Sequence, residues 1–129
     1  MSMLIGCAEV KTTDLGKKEF ESNCAACHGS GGKGDGPQAA LLAIKPADLT
    51  TLAKKNGGVF PAQHVHEIID GRIEVAAHGS RIMPVWGREF ELDVKDLPKA
   101  AAQPLDYRDI TVRNRIQALV DFLAQLQEK

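Results

Sequence analysis

Cys24, Cys27 and His28 are the residues of this 129-residue chain whose types and spacing most directly allow chemistry. A helical turn puts residues three apart on one side. Two thiols at that spacing can reach the two vinyl groups along one porphyrin edge. A histidine directly after the second thiol is then carried to the iron, where a neutral imidazole nitrogen is a good axial ligand. The run C-A-A-C-H at 24–28 therefore reads as an attachment site for one covalently bound haem c. Two other uses of such a pair lack their setting here: a structural zinc site needs four ligands and usually a second pair, and a thioredoxin-like redox pair needs a βαβ unit.

Iron held by one histidine has an open sixth position, and a thioether there closes it and favours the reduced state. The methionines are Met1, Met3 and Met83. The first two lie in a segment without periodicity, on the wrong side of the attachment helix to fold over a porphyrin, which leaves Met83. Its distance along the chain from His28 is enough to wrap the ring and return on the other face. His64, His66 and His78 are rival sixth ligands, His78 being nearest to the right segment.

The elements that must position these residues read as helices and loops. Met1 to Thr12 is expected to be a tail, with one domain over 13–129. Thr13 or Asp14 can cap a first helix on which Gly16, Phe20, Cys24 and Cys27 share a face. Five glycines and a proline in the nine positions 29–37 exclude regular structure and predict a loop. Pro61 can open a second helix as its first residue, with Val65, Ile68 and Ile69 inward and Gly71 ending it. Pro84 disfavours helical geometry at Met83, so that residue is expected on an extended or turning segment. Residues 91–108, interrupted by Pro98 and Pro104, read as a connection with one helical turn. From Asp109 to Gln127 the positions Val112, Ile116, Leu119, Val120, Leu123 and Leu126 keep a helical period. No useful strand alternation and no internal repeat occurs, and the fold class is all-α.

Composition narrows the function classes. Sixteen basic against 17 acidic side chains give a formal charge of −1, without the basic stripe that a nucleic-acid partner needs. No stretch approaches the roughly 18 apolar residues of a membrane-spanning helix. Only 5% of residues are aromatic, so the core is modest and a buried cofactor would help to fill it.

The chain resembles the class I cytochrome c family through C24-A-A-C-H28, the G-x-G-D-G-P stretch ending at Pro37, and M83-P-V-W-G87, over about Leu15 to Leu126. The resemblance implies a cytochrome c fold, a small helical domain wrapped around one haem, in which Gly16 and Phe20 cross against Phe122 and Leu123 of the last helix. It implies that the Pro37 carbonyl accepts the hydrogen bond from the second nitrogen of the axial histidine, fixing its tautomer, with Pro46 as the rival acceptor. Trp86 looks like the aromatic that packs on the haem edge or donates to a propionate, and Arg72 and Arg81 can neutralise propionates. The connection from about Arg88 to Tyr107 is long for a compact member and is a candidate partner surface or lid.

In that family haem c is attached outside the cytoplasmic membrane, which implies export and a periplasmic or comparable location. Leu4-Ile5-Gly6-Cys7 looks like the end of a lipoprotein signal, so Cys7 is a candidate lipid anchor in the native precursor. The expected function is that of a monomeric single-electron carrier between a redox donor and acceptor protein, with no bond chemistry of its own. It is either free-standing or the domain through which electrons enter a larger oxidoreductase. The near-neutral charge leads us to expect docking through an apolar patch rather than long-range steering. The alternative is a small-ligand-binding or sensing haem protein in which Met83 is displaced.

Overall fold

The computed structural model describes residues 12–71, 83–95 and 105–129. The expectations placed on Met1, Met3, Cys7, Arg72, His78 and Arg81 lie outside the described residues. All regular structure among the described residues is helical, as expected: α1 (Thr12–Asn23), α2 (Ala25–His28), α3 (Leu52–Lys55), α4 (Ala62–Asp70), α5 (Trp86–Lys95) and α6 (Leu105–Gln125), with short 3-10 turns at Ala39–Leu41 and Leu49–Thr51.

The core forms where α1, α4 and α5 lay their apolar faces on α6. Val112, Ile116, Leu119, Val120 and Leu123 supply the α6 face, and Phe20, Val65, Ile69 and Phe90 fill it from the other three helices. Phe20, Phe90, Ile116 and Leu119 are wholly enclosed, each contributing roughly 1.5–3 kcal/mol of apolar burial. Gly16 lets α1 come close to α6 at Ala118 and Phe122, and the Phe20 and Phe122 rings meet at 5.4 Å and 46°. The crossing implied by the resemblance is therefore present.

An ion pair ties three of these helices together at the edge of the core. Arg115 on α6 donates from Nε and Nη2 to the two carboxylate oxygens of Glu19 on α1, both at 3.0 Å. Asn23 Nδ2 donates to the same carboxylate at 3.0 Å, and the guanidinium carbon lies 3.9 Å from the centre of the Phe90 ring on α5. The two-pronged geometry and low exposure of both side chains put this pair above the roughly 0–1 kcal/mol of exposed pairs, such as Lys17 with Glu21 at 3.9 Å.

Three boundaries differ from the sequence reading. The first helix already includes Thr12, Thr13 and Asp14 and breaks at Cys24 instead of running through Cys27. Pro61 stands just before α4 rather than inside it, while Gly71, at φ 69°, ends that helix as expected. The largest correction concerns 91–108: α5 continues to Lys95 and α6 starts at Leu105, directly after Pro104. What builds α5 is tertiary: Trp86 and Phe90, one turn apart, pack ring to ring at 5.8 Å, and Arg115, distant in sequence, covers Phe90.

The carboxyl end of α6 is fastened to the 48–53 segment. Gln127 Nε2 donates to the Leu49 carbonyl at 2.7 Å and Gln127 Oε1 accepts from the Ala53 amide at 2.9 Å. The Glu128 amide donates to the Thr50 carbonyl at 2.8 Å, and Lys33 Nζ donates to the Glu128 carboxylate at 2.8 Å. The Lys33 hydrogen bond holds the Glu128 carboxyl below its ordinary range and the same bond raises the Lys33 ammonium. The Asp48 carboxyl is lowered by the Thr50 hydroxyl and amide that donate to it.

The pH dependence follows from these directions. The Glu128 contribution is complete above the ordinary carboxyl value of 4.5 and is lost as pH falls through the lowered folded value. The Lys33 contribution is complete below 10.5 and is lost as pH rises through the raised folded value. The Tm difference between the wild type and Lys33→Gln should therefore be constant from about pH 5 to 10. It should close in stronger acid and stronger alkali, and shrink with added salt because the pair is exposed. A difference that persists unchanged in acid would show that the ion pair is not its source.

Candidate functional site

The attachment run sits where α1 gives way to α2. The Cys24 amide still donates to the Phe20 carbonyl at 2.9 Å, but the φ of −118° at Cys24 turns the chain. A new helical turn then runs to His28, whose amide donates to the Cys24 carbonyl at 2.9 Å. Cys24 and Cys27 thus stand at either end of one turn, both half-buried free thiols. Burial, with smaller effects from Glu19 and Cys27, pushes the Cys24 thiol up to about 12. At neutral pH it is a neutral thiol, not the thiolate that a nucleophilic or metal-binding cysteine needs.

His28 is oriented by the backbone. Its Nδ1 lies 3.0 Å from the Ala47 carbonyl oxygen. A carbonyl only accepts, so Nδ1 carries the proton and, in the neutral ring, Nε2 keeps a free lone pair. That is the state in which an imidazole binds a metal, with its other nitrogen fixed by a second partner.

The acceptor is Ala47, and not Pro37 as expected. Pro37 falls between two residues that close the end of α2: the Gly36 amide donates to Cys27 O at 3.1 Å and the Gln38 amide to Ala26 O at 2.9 Å. The chain reaches the imidazole only after Pro46. There Gly34, at φ 82°, allows the close approach, since a Cβ on it would collide with the Pro46 carbonyl. The glycine loop is also tied to both sides of the site, with Gly34 N donating to His28 O and Leu49 N to Gly32 O, each at 2.7 Å.

Met83 lies on a bend just before α5, outside regular structure. It is partly buried against the same apolar cluster as Cys24, Ala25, Leu49, Leu52, Phe60 and Trp86. The structure therefore brings Cys24 and Met83 onto one core although they are far apart in sequence. Trp86 packs on Phe90 at the edge of that core. His64 and His66 belong to α4, away from the Met83 bend in sequence. No group of three or more His, Cys, Asp or Glu side chains among the described residues is arranged to hold a bare metal ion.

The donor set suits a haem better than a free ion: two thiols one turn apart, a backbone-fixed imidazole with one nitrogen free, a thioether, and a half-buried apolar rim. Among the described residues the fold is helical without strands, which is consistent with a c-type cytochrome. Residues 11–102 match the family described as cytochrome C oxidase, cbb3-type, subunit III, and the chain belongs to that family. No curated protein and no solved structure matches the chain significantly. The family match stops before α6, the helix on which α1, α4 and α5 all pack. Haem-based electron transfer is the activity that a cytochrome c domain carries.

Among the described residues no helix is long and apolar enough to cross a membrane. Sequence reasoning missed Ala47, and every residue carries a carbonyl, so nothing in its side chain could have marked it. The signal available was the neighbouring Pro46, the rival acceptor.

Proposed function

We propose that this chain is a single-electron carrier with one haem c, joined to Cys24 and Cys27 by thioethers and ligated by His28 Nε2 and the Met83 sulfur. The observation that carries the reading is the His28 hydrogen bond to Ala47, which leaves one ring nitrogen free on the residue that directly follows the second thiol. When bound, the haem supplies a one-electron couple; all else is done by the chain. Ala47 holds the imidazole in one tautomer and strengthens it as a donor. The sulfur of Met83 would hold the iron on its other side, keeping small molecules away and favouring the reduced state. Cys24, Leu49, Leu52, Phe60 and Trp86 give an apolar surround, which limits the solvent rearrangement that a change of iron charge would otherwise require.

The family description names an oxidase subunit, which supports a role as the domain through which electrons enter a terminal oxidase, outside the cytoplasm. The large apolar side chains Leu41 and Ile44, 84% and 62% exposed, shortly precede Ala47 in the chain and would provide the apolar contact expected for a redox partner.

Carbon monoxide separates this reading from a ligand-binding or sensing role. Mixed with the reduced, haem-loaded protein, it should leave the visible spectrum unchanged over minutes. A rapid and complete spectral change would assign the chain to the sensing class.

A further inference from the structure

The contacts that fasten the end of α6 converge on the segment that supplies the His28 acceptor. Ala47 is two residues before Leu49, and Leu49 is held twice, its carbonyl by Gln127 Nε2 at 2.7 Å and its amide by Gly32 O at 2.7 Å. Gln127, two residues past α6, is itself anchored to that helix by Nε2 through the Leu123 carbonyl at 2.8 Å, and its Oε1 takes the Ala53 amide at 2.9 Å. One side chain thus bridges α6 to both ends of the 49–53 turn.

Thr50, only 5% exposed, braces the same turn from within. Its hydroxyl lies 2.6 Å from Asp48 Oδ1 and its carbonyl accepts from Glu128 N at 2.8 Å. Asp48 Oδ1 also accepts from the Thr50 amide at 2.9 Å, capping the turn. The residue directly after Ala47 is therefore fixed by Thr50, and the turn by Gln127.

We propose that Gln127 and Thr50 are positioning residues for the axial histidine: by fixing the 48–53 segment to the carboxyl end of α6 they hold the Ala47 carbonyl on His28 Nδ1, and so set the donor strength of the ligand. This rests on the His28 ligation proposed above. A looser Ala47 carbonyl weakens the hydrogen bond it accepts from His28 Nδ1–H. A less strongly bonded imidazole donates less electron density, which disfavours the oxidised iron.

The test uses the haem-loaded full chain in its reduced, diamagnetic state, with histidine labelled by nitrogen-15. Solvent exchange of the His28 Nδ1 proton is followed by NMR and the midpoint potential by titration, for the wild type, Gln127→Ala and Thr50→Val. Loss of the two Gln127 bonds to the turn, or of the Thr50 hydroxyl bond to Asp48, should speed the exchange roughly tenfold and move the potential upward. Thr50→Ser, which keeps the hydroxyl, should restore both readouts. Gln117→Ala, which removes only a contact with Asp121 at 2.9 Å on the same helix, should change neither. Variants that lose Tm while keeping wild-type exchange and potential would overturn the positioning role and leave the ligation intact. A wild-type protein with no iron-bound His28 signal would overturn the ligation and this inference with it.

Discussion

Met83→Ala should give a haem-loaded protein whose reduced form binds carbon monoxide at once and whose midpoint potential has fallen by an amount on the order of 0.1 V or more, a modest part of the roughly 0.8 V range that axial ligands span. The direction follows from the thioether, a weak donor that favours the reduced iron; water or an empty site does not replace that preference. Met83 is half-buried against the core cluster, so the substitution also removes some apolar burial. Truncation at a partly buried site costs less than at Phe20 or Leu119, and the chain should still fold. Potentiometry and a carbon monoxide difference spectrum read the two effects separately. An unchanged potential would remove Met83 from the iron and direct attention to the histidines.

Gly16→Ala should destabilise the protein by a net amount of about 2 kcal/mol, lowering Tm by roughly 8 °C. Helix propensity alone has the opposite sign, since alanine is preferred to glycine by about 1 kcal/mol inside a helix. The close approach of α1 and α6 reverses it. A Cβ at position 16 would collide with the Ala118 carbonyl and lie 2.8 Å from the Phe122 Cβ, and backbone cannot rotate away as a flexible side chain can. The helices must separate, loosening the Phe20–Phe122 contact and the Glu19–Arg115 pair beside it. Gly31→Ala, where a Cβ would meet nothing within 4 Å, should stay within about 0.5 kcal/mol of the wild type. Equal Tm values for the two variants would mean that the helix crossing does not control stability.

These outcomes depend on features that differed greatly in how legible they were. The 24–28 run can be read because thiol, thiol and imidazole are chemically distinctive and their spacing matches a helical turn. The body of α6 can be read because Val112, Ile116, Leu119, Val120 and Leu123 repeat at helical spacing, and burial of that face, not propensity, determines the helix. Helix α5 was missed because Pro84 and Gly87 weaken its start, while what supports it, Arg115 over Phe90, is a contact between residues remote in the chain. The Ala47 carbonyl was missed for a different reason: sequence distinguishes side chains, and this interaction is made by the backbone. Pro37 was chosen for its place after the run, but Gly36 and Gln38 use that stretch to close α2.

The Glu19–Arg115 bridge belongs with the features that no local pattern reveals. Each side chain alone resembles an ordinary charged residue on the polar face of a helix. Only the α1–α6 crossing, which Gly16 allows, makes them partners. The sequence therefore exposes the chemistry and the body of α6, whereas the fold determines which carbonyl serves the histidine.

Covalent attachment of a haem through Cys24 and Cys27 is read from the mass of the denatured, matured protein. The polypeptide should carry the additional mass of one haem after denaturation and acidic extraction, and the Cys24→Ala/Cys27→Ala double variant should lose it. A polypeptide that emerges colourless, at the mass of its amino acids alone, would contradict it.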